Sequence, residues 1–471
     1  MPIKVRNPRT GEDDYEFVPP SSEEIKAWTA RLRHGGADWF SSGLKNRIGV
    51  MQRWKKAIAD NRAEIVSALS RDTGRFRLCH GELDGICLLI DRWCALAPSL
   101  LEEQARWSAA IPTIKYHSQL VPYGLVGVIS PWNFPLLLSL IDAVPALVAG
   151  CSVVIKPSPI TPRFVEPLRD TIRGVPDLDP VLALLPGPGE TGAALIDEVD
   201  AVCFTGSIRT GRVVAEAAAK RFIPAFLELG GKDPAIVVES ADLERAAATI
   251  LRASIAATGQ ACQSLERIYV KDTIHDEFIS RLVAGAREIT LNFPDLHRGQ
   301  LGPLIFDRQA EIIAGHIADA VEKGAAILCG GEIEHHGGGK WIRPTVLVNV
   351  DHTMKIMTEE TFGPVIPVMS FKTVDEAIAL ANDSDYGLSA AVFAGTEEEA
   401  IAIARRIDVG AVSINDGALT SVMHEAEKNS FKLSGLGGSR MGPSGLTRFL
   451  KKKALIVQTG KPASVAHLDE A

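Results

Sequence analysis

Apolar residues recur at helical spacing through residues 1–110. From Leu44 to Leu69, and again over 81–106, they follow the i, i+3, i+4 pattern of an amphipathic helix. The run Ser21-Ser22-Glu23-Glu24 supplies capping residues for an earlier helix. The pattern predicts a mostly helical N-terminal region whose apolar faces pack against the rest of the chain.

From residue 111 onward short apolar strands alternate with helices, and this pattern predicts βαβ units that build parallel sheets. The alternation restarts near residues 230–235, so we place a domain boundary there. Strands are predicted at 113–121, 125–130, 152–155, 181–185, 200–204, 235–238 and 454–457. Helices are predicted at 142–147, 161–173, from Gly211, and at 243–257, 277–289, 310–322, 374–382 and 397–406.

Composition narrows the class of protein. The 471-residue chain carries a formal charge of −8, whereas a nucleic-acid binder needs a basic surface. The longest apolar stretch, Leu136 to Cys151, is too short and too interrupted to span a bilayer. Cysteine occurs seven times without a Cys-x-x-Cys pair, and the N-terminus lacks a signal-peptide pattern. We therefore expect no metal framework, no disulfides and a cytoplasmic location.

Three stretches hold candidate chemistry: Pro131 to Pro135 around Asn133, Glu228 to Lys232, and Gly259 to Arg267 around Cys262. Each residue alone has an ordinary structural interpretation. A free cysteine is usually a small buried hydrophobe, an asparagine between prolines is usually a turn residue, and a glutamate is usually solvated. Only the three stretches together favour a catalytic site.

Taken together, these stretches resemble the aldehyde dehydrogenase superfamily over nearly the whole chain. The resemblance implies an α/β fold with a Rossmann-like dinucleotide-binding domain, an α/β catalytic domain and a small β oligomerisation extension. We accordingly assign 1–110 and 125–230 to the first domain, 231–445 to the second, and 111–124 with 446–471 to the extension. A homodimer or homotetramer is expected, with the strand at 454–457 available to pair across subunits.

The resemblance also implies roles for the catalytic residues. Cys262 would be the nucleophile, which calls for a thiol of lowered pKa. Asn133 and the backbone N–H of Cys262 would stabilise the oxyanion. Glu228 would activate the water that hydrolyses the thioester, and it stands 34 residues before Cys262, as in the family. Because the branch that uses coenzyme A typically lacks this glutamate, the expected product is the free acid.

The expected cofactor is NAD, with NADP possible. A glycine-bearing turn before a helix exposes N–H groups to a pyrophosphate, and Phe204 to Gly211 has this character. Pro159 stands where the family usually has a glutamate that repels a 2′-phosphate. By resemblance, Lys156 would bond the adenosine ribose and Glu360 the nicotinamide ribose. The full predicted set is Trp132, Lys156, Ser158, Gly206, Ser207, Gly211, Leu229, Gly230, Glu360 and Phe362.

Substrate preference is inferred from residues that line the aldehyde tunnel in relatives. None is a lysine or arginine, so an uncharged apolar or aromatic aldehyde is expected. They are Phe134, Leu136, Leu137, Leu140, Ala261, Gln263 and the stretch 417–423. The family's Pro-Phe-Gly-Gly loop departs here to Glu427-Lys428-Asn429-Ser430, which leaves that loop's contacts open.

Two other classes stay possible from the sequence. A cysteine hydrolase or acyltransferase without nucleotide needs a histidine near Cys262, but none of the eleven histidines lies in a recognisable motif. A catalytically silent binding protein of the same fold is the third class, and the retained Cys262, Glu228 and Asn133 argue against it.

Overall fold

The structure is a computed structural model that describes residues 1–468 and 470. Its helices make up most of the N-terminal region and, further along the chain, alternate with the strands of the two large sheets. They are α1 Ser22–Ser41, α2 Leu44–Asp60, α3 Arg62–Thr73, α4 Arg77–Leu100, α5 Pro135–Leu140, α6 Ala143–Ala149, α7 Val165–Arg173, α8 Gly189–Ile196, α9 Ile208–Lys220, α10 Leu243–Ile255, α11 His275–Glu288, α12 Asp307–Glu322, α13 Lys355–Thr358, α14 Val374–Asn382, α15 Glu397–Ala404 and α16 Ser444–Thr447.

The strands form two large sheets, a three-stranded sheet and short ribbons. They are β1 Ile3–Arg6, β2 Asp13–Phe17, β3 Ala105–Trp107, β4 Ile114–Pro122, β5 Leu125–Ile129, β6 Ser152–Lys156, β7 Leu182–Leu184, β8 Ala201–Thr205, β9 Ala225–Glu228, β10 Asp233–Val237, β11 Leu265–Lys271, β12 Ala326–Cys329, β13 Ile333–His336, β14 Gly339–Ile342, β15 Thr345–Val348, β16 Val365–Phe371, β17 Tyr386–Gly387, β18 Ser389–Phe393, β19 Ala411–Ile414, β20 Phe431–Lys432, β21 Gly435–Leu436 and β22 Leu450–Gln458.

The first large sheet has the order β21-β9-β8-β5-β6-β7. Strands β5 to β9 run parallel, and each of β5, β6 and β8 is buried along its whole length. Continuous burial is what a parallel sheet covered on both faces requires. Strand β21 joins from the segment that the sequence assigned to the other domain, and it pairs antiparallel with β9.

The second large sheet has the order β12-β15-β16-β11-β10-β18-β19. Only β12 is antiparallel to its neighbour, and β10 lies between β11 and β18 in parallel pairing. The chain passes from the first sheet to the second between Glu228 and Asp233. The predicted α/β class with parallel sheets is confirmed.

The third sheet has the order β22-β4-β3 and contains the strand predicted near the C-terminus. The predicted tail strand exists, but it pairs along its whole length with β4 of the same chain, from Leu450 opposite Pro122 to Gln458 opposite Ile114. Strand β22 is an edge strand and is exposed beyond Leu450. Its second edge pairs with no other strand in the described part of the chain.

Local capping explains where several helices begin and end. Ser21 caps α1, and Glu24 closes a reciprocal capping box with it. The helix expected from Gly211 begins instead at Ile208, because the Ser207 hydroxyl accepts the N–H of Thr210. The apolar pattern from residue 44 to 69 is divided at Asn61 into two helices.

Two further features bear on the sequence expectations. All seven cysteines are free thiols. Within the described residues, no helix is both long and apolar enough to cross a membrane.

Candidate active site

The candidate base and the candidate nucleophile meet where the two large sheets adjoin. Glu228 ends β9, and Cys262 lies in the loop between α10 and β11. A Cβ at Gly231 would stand 2.3 Å from the carbonyl oxygen of Cys262, a distance that only glycine allows. The Glu-Leu-Gly-Gly-Lys stretch therefore lies directly against the cysteine loop.

Asn133 is joined to the same loop from the first sheet. Its side-chain Nδ2 donates to the carbonyl oxygen of Gln260 at 3.0 Å, and the residue is only 3% exposed. The buried Arg75 guanidinium donates to the carbonyl oxygens of Asn133 and Ala257, and so fastens the asparagine turn to the cysteine loop. The structure thus brings Asn133, Glu228 and Cys262 into one site.

The thiol environment differs from the sequence expectation of a lowered pKa. Burial raises the pKa of the half-buried Cys262 to about 12, and three nearby carboxylates raise it further, while Arg440 opposes them. The carboxylates are those of Glu360, Asp233 and Glu228. The surrounding protein therefore favours the neutral thiol.

Glu228 has a partner that the sequence did not predict. The Ser430 hydroxyl donates to a Glu228 carboxylate oxygen at 2.8 Å. Ser430 belongs to the loop whose sequence departs from the family pattern, and the pairing of Gly435 with Glu228 holds that loop against β9. The altered loop therefore contributes directly to the surroundings of the candidate base.

Two cations near the thiol were also missed. Arg440 is buried and forms a two-pronged ion pair with Asp142, at 3.1 and 2.9 Å. Lys428 stands where the family has an aromatic residue, and its amine lies within electrostatic reach of Cys262 and Glu228. The tunnel residues chosen from the sequence held no cation, so the structure adds a basic group beside the site.

Lys156 is suited to bind hydroxyl groups of a nucleotide. Its side chain is buried, and Nζ donates to the carbonyl oxygen of Gly187 at 2.8 Å. Burial lowers the pKa of Lys156 to about 8, and the Glu190 carboxylate partly opposes this. Ser158, two residues further on, accepts the N–H of Ile160 at 3.2 Å. The amine is held in place and keeps hydrogens free for further acceptors.

The predicted glycine turn leads into helix α9. Ser207 caps the helix, and a Cβ at Gly211 would stand 2.6 Å from Leu229. Gly211 thus serves close packing of α9 on Leu229, whereas Gly206 and Ser207 stand at the helix N-terminus. A helix N-terminus suits a phosphate, and here the N–H of Gly206 already donates to the carbonyl oxygen of Glu228 at 3.1 Å.

The buried ion pair of Lys232 and Glu266 holds the segment Glu359 to Pro364 in place. Lys232 donates to Glu266 at 2.6 Å, and Glu266 accepts the N–H groups of Thr361 and Phe362 at 2.8 Å each. Glu360 accepts the N–H of Gly231 at 3.1 Å. Burial and the neighbouring Glu266 raise the pKa of Glu360 to about 8.

The aromatic residues predicted for the cofactor also meet. The rings of Trp132 and Phe362 are 5.4 Å apart in an edge-to-face contact. A buried amine, a helix N-terminus and a carboxyl group beside Gly230 fit the ribose and phosphate groups of a dinucleotide. The residues present therefore fit NAD or NADP.

Comparisons with known proteins identify the family of this chain. The sequence profile of the Aldehyde dehydrogenase family matches residues 1–455. The "putative succinate-semialdehyde dehydrogenase" of Mycolicibacterium smegmatis, named as NADP-dependent, is 35% identical over 98% of this chain and 88% of its own length. The 4,4'-diapolycopene aldehyde oxidase of a Methylomonas species is 36% identical over 90% of this chain and 80% of its own.

A solved structure shows the same fold at higher identity. That of the "putative aldehyde dehydrogenase PutA" from Anabaena variabilis has a TM-score of 0.97 and 55% identity, and the match covers 99% of both chains. The chain therefore belongs to the aldehyde dehydrogenase family. It is an oxidoreductase that oxidises an aldehyde with NAD or NADP.

Proposed function

We propose that Cys262 is the nucleophile of this oxidation. The thiolate adds to the aldehyde carbon, and a carbon–sulfur bond forms as the carbonyl oxygen takes the negative charge. The support is the convergence of the cysteine loop with Glu228 through Gly231 and with Asn133 through Gln260.

Asn133 and the Cys262 backbone stabilise the oxyanion in this proposal. The Asn133 amide has two N–H donors, and one is bonded to Gln260. In the described part of the chain, the backbone N–H of Cys262 donates no hydrogen bond to a backbone carbonyl oxygen. Donors fixed before the reaction stabilise developing charge at little reorganisation cost.

Glu228 completes the reaction as general base. NAD or NADP, when bound, would supply the acceptor for the hydride that leaves the carbon bonded to Cys262, and the loss of this hydride leaves an acyl group on the sulfur as a thioester. Glu228 then takes a proton from water, which attacks the acyl carbon and releases the acid and the Cys262 thiolate. The Ser430 hydroxyl fixes the orientation of the carboxylate.

Two variants test the assigned roles. Cys262→Ala is expected to abolish oxidation of every aldehyde in a mixed panel, with NAD and with NADP. Asn133→Ala is expected to lower kcat by roughly 10²- to 10³-fold, as removal of one oxyanion donor does. Turnover by Cys262→Ala near the parent rate would overturn the proposal, and it would reopen the hydrolase and binding-protein alternatives.

An uncharged apolar or aromatic aldehyde is the proposed substrate class. Thr420 joins the 417–423 loop to Gln263 beside the nucleophile at 3.3 Å, and the same loop exposes Leu419, Val422 and Met423. The relatives are named for aldehydes as different as succinate semialdehyde and 4,4'-diapolycopene aldehyde. We expect kcat/KM for benzaldehyde to exceed that for succinic semialdehyde at least tenfold, and equal values would contradict this class.

A homo-oligomer in the cytoplasm is also proposed. Strand β22 presents an unpaired edge in the described part of the chain, and Leu455, Ile456 and Val457 on it are exposed. Unpaired edges promote association between chains. Light scattering should give the mass of a dimer or tetramer, and Ile456→Lys should lower it. The location is inferred from the free thiols.

A further inference from the structure

One buried arginine joins the two segments that carry the proposed nucleophile and the proposed oxyanion donor. Asn133 follows β5 of the first large sheet, whereas Cys262 precedes β11 of the second. The Arg75 guanidinium donates through Nη1 to the carbonyl oxygen of Asn133 at 3.0 Å and through Nη2 to that of Ala257. The arginine is only 5% exposed. A single rigid group therefore sets the distance between the two segments.

The turn that Arg75 holds has a strained backbone. Ala257 and Thr258 have φ values of 54° and 61°, in the left-handed region that favours glycine, and Gly259 follows with 67°. Residues other than glycine persist there only where the surrounding contacts impose the conformation. One such contact is the bond from Arg75, and another is the Thr258 hydroxyl, which donates to the carbonyl oxygen of Gly302 at 3.1 Å. The turn ends three residues before the nucleophile, so its shape determines where the sulfur stands.

The Asn133 side chain completes the connection between the two segments. Its amide donates one N–H to the carbonyl oxygen of Gln260 at 3.0 Å, and the other N–H is the proposed oxyanion donor. Together with the two bonds of Arg75, this contact closes a ring that ties the donor to the cysteine loop. Without the guanidinium, the bond to Gln260 is the one hydrogen bond left between the asparagine turn and the cysteine loop in the described part of the chain.

Stability alone does not explain this arginine. Burial lowers the pKa of Arg75 to about 10, against a smaller opposing effect of Cys79 and Glu82, so the guanidinium keeps its charge at neutral pH. It forms no salt bridge with any described residue, and its Nε is buried without a hydrogen-bond partner. A buried charge without a counter-charge costs folding free energy. The arginine is therefore better explained by the segments that it holds in place.

We propose that Arg75 is a positioning residue that sets the Asn133 amide opposite the Cys262 sulfur for addition to the aldehyde. It acts through the two segments that it joins. Misplacement of a reacting group by about 1 Å can cost roughly 10²-fold in rate. The inference rests on the proposed roles of Cys262 and Asn133.

Single-turnover kinetics test the inference. The full-length enzyme, in excess over benzaldehyde and with saturating NAD or NADP, is followed by the appearance of reduced nucleotide. Arg75→Met should lower the rate constant about 100-fold, while KM for the nucleotide changes less than about threefold. Arg75→Lys keeps a charged donor and should be at least about tenfold faster than the methionine variant. Arg75→Gln replaces Arg75→Met if the latter does not fold.

Arg47 supplies a matched control. It is 4% exposed, and its guanidinium also donates to two backbone carbonyl oxygens, those of Val148 at 3.1 Å and Phe40 at 3.0 Å. Neither acceptor belongs to the asparagine turn or the cysteine loop. Arg47→Met should lower the thermal midpoint but leave the single-turnover rate within about threefold of the parent enzyme. All rates are measured well below the thermal midpoint of each variant.

A double variant separates positioning from packing. If Arg75 acts by placing the Asn133 amide, little remains for it to place once the amide is removed. Arg75→Met should therefore cost no more than about threefold in the Asn133→Ala background. Losses that multiply, or a parental rate in Arg75→Met alone, would overturn the inference. The role of Cys262 is read separately from turnover by Cys262→Ala, so failure of the inference and failure of the proposed function are distinguishable.

Discussion

Pro159 lies in the turn that leaves β6, three residues after the buried Lys156. A carboxylate at this position would stand close to the ribose that Lys156 is proposed to bind, and it would repel a 2′-phosphate. Pro159 carries no charge. At the scale of the residue, this position is therefore expected to admit both coenzymes.

Pro159→Glu should make the enzyme selective for NAD. The added carboxylate is expected to lower kcat/KM for NADP by at least about tenfold. A like charge in contact typically shifts a pKa by one unit or more, and one pKa unit corresponds to a tenfold change in an equilibrium constant. The value for NAD should change little. Pro159→Gln is the neutral control, and the same loss of NADP activity in both variants would show that charge is not the cause.

Single residues also show what the sequence could reveal. The roles of Cys262, Asn133 and Glu228 were proposed from the stretches that carry the family resemblance, because each stretch has specific neighbours. Arg75 was not found, since its role depends on a contact with Ala257, 182 residues away. Lys428 was seen only as a departure from the family loop, and its position beside the thiol depends on tertiary packing.

At the scale of elements, the loop that carries Glu360 depends on one buried ion pair. Lys232 and Glu266 have side chains that are 0% and 2% exposed. Glu266 also accepts two N–H groups of that loop. Removing one member of a buried pair leaves an uncompensated charge, which costs more than removing both.

Glu266→Gln should destabilise the protein strongly. The change leaves the Lys232 ammonium without its partner and is expected to cost about 3 kcal/mol of unfolding free energy. The double variant Lys232→Met/Glu266→Gln keeps an oxygen for the loop N–H groups and removes both charges. Its thermal midpoint should lie above that of Glu266→Gln, and the opposite order would contradict this account of the pair.

Periodicity predicted most of the helices and most strands of the first large sheet, but only β10 of the second large sheet. Continuous apolar runs gave the buried strands β5, β6 and β8, and helical spacing gave most helices. The pairing of β22 was not predictable, because nothing in a single strand identifies its neighbour. The end of one helix and the start of the next at Asn61 were not predicted, because apolar residues keep their helical spacing across this position.

At the scale of the whole molecule, several buried carboxyl groups are held away from water. Burial raises the pKa of Glu82 to about 7, although its carboxylate accepts the N–H groups of Leu136 and Leu137. An unfolded glutamate titrates near ~4.3. Between these values the folded protein binds more protons than the unfolded chain, so stability falls as pH rises toward 7.

Glu82→Gln should reduce this pH dependence. The amide oxygen can still accept from Leu136 and Leu137, but the group no longer loses a proton. The thermal midpoint of the parent enzyme should therefore fall more steeply than that of the variant between about pH 5 and pH 7.5. Asp142, whose pKa Arg440 and Arg448 lower against the effect of burial, affects stability only in more acidic solution. Parallel curves would refute the contribution of Glu82.

The convergence of Cys262 and Glu228 on one acyl group is tested most directly by trapping that group. Glu228→Gln, mixed with an aldehyde and excess NAD(P), should release about one reduced nucleotide per chain in a burst and then turn over slowly. Mass spectrometry of the quenched enzyme should find the acyl group on the peptide that contains Cys262. Parental steady-state turnover without any adduct on Cys262 would contradict the account.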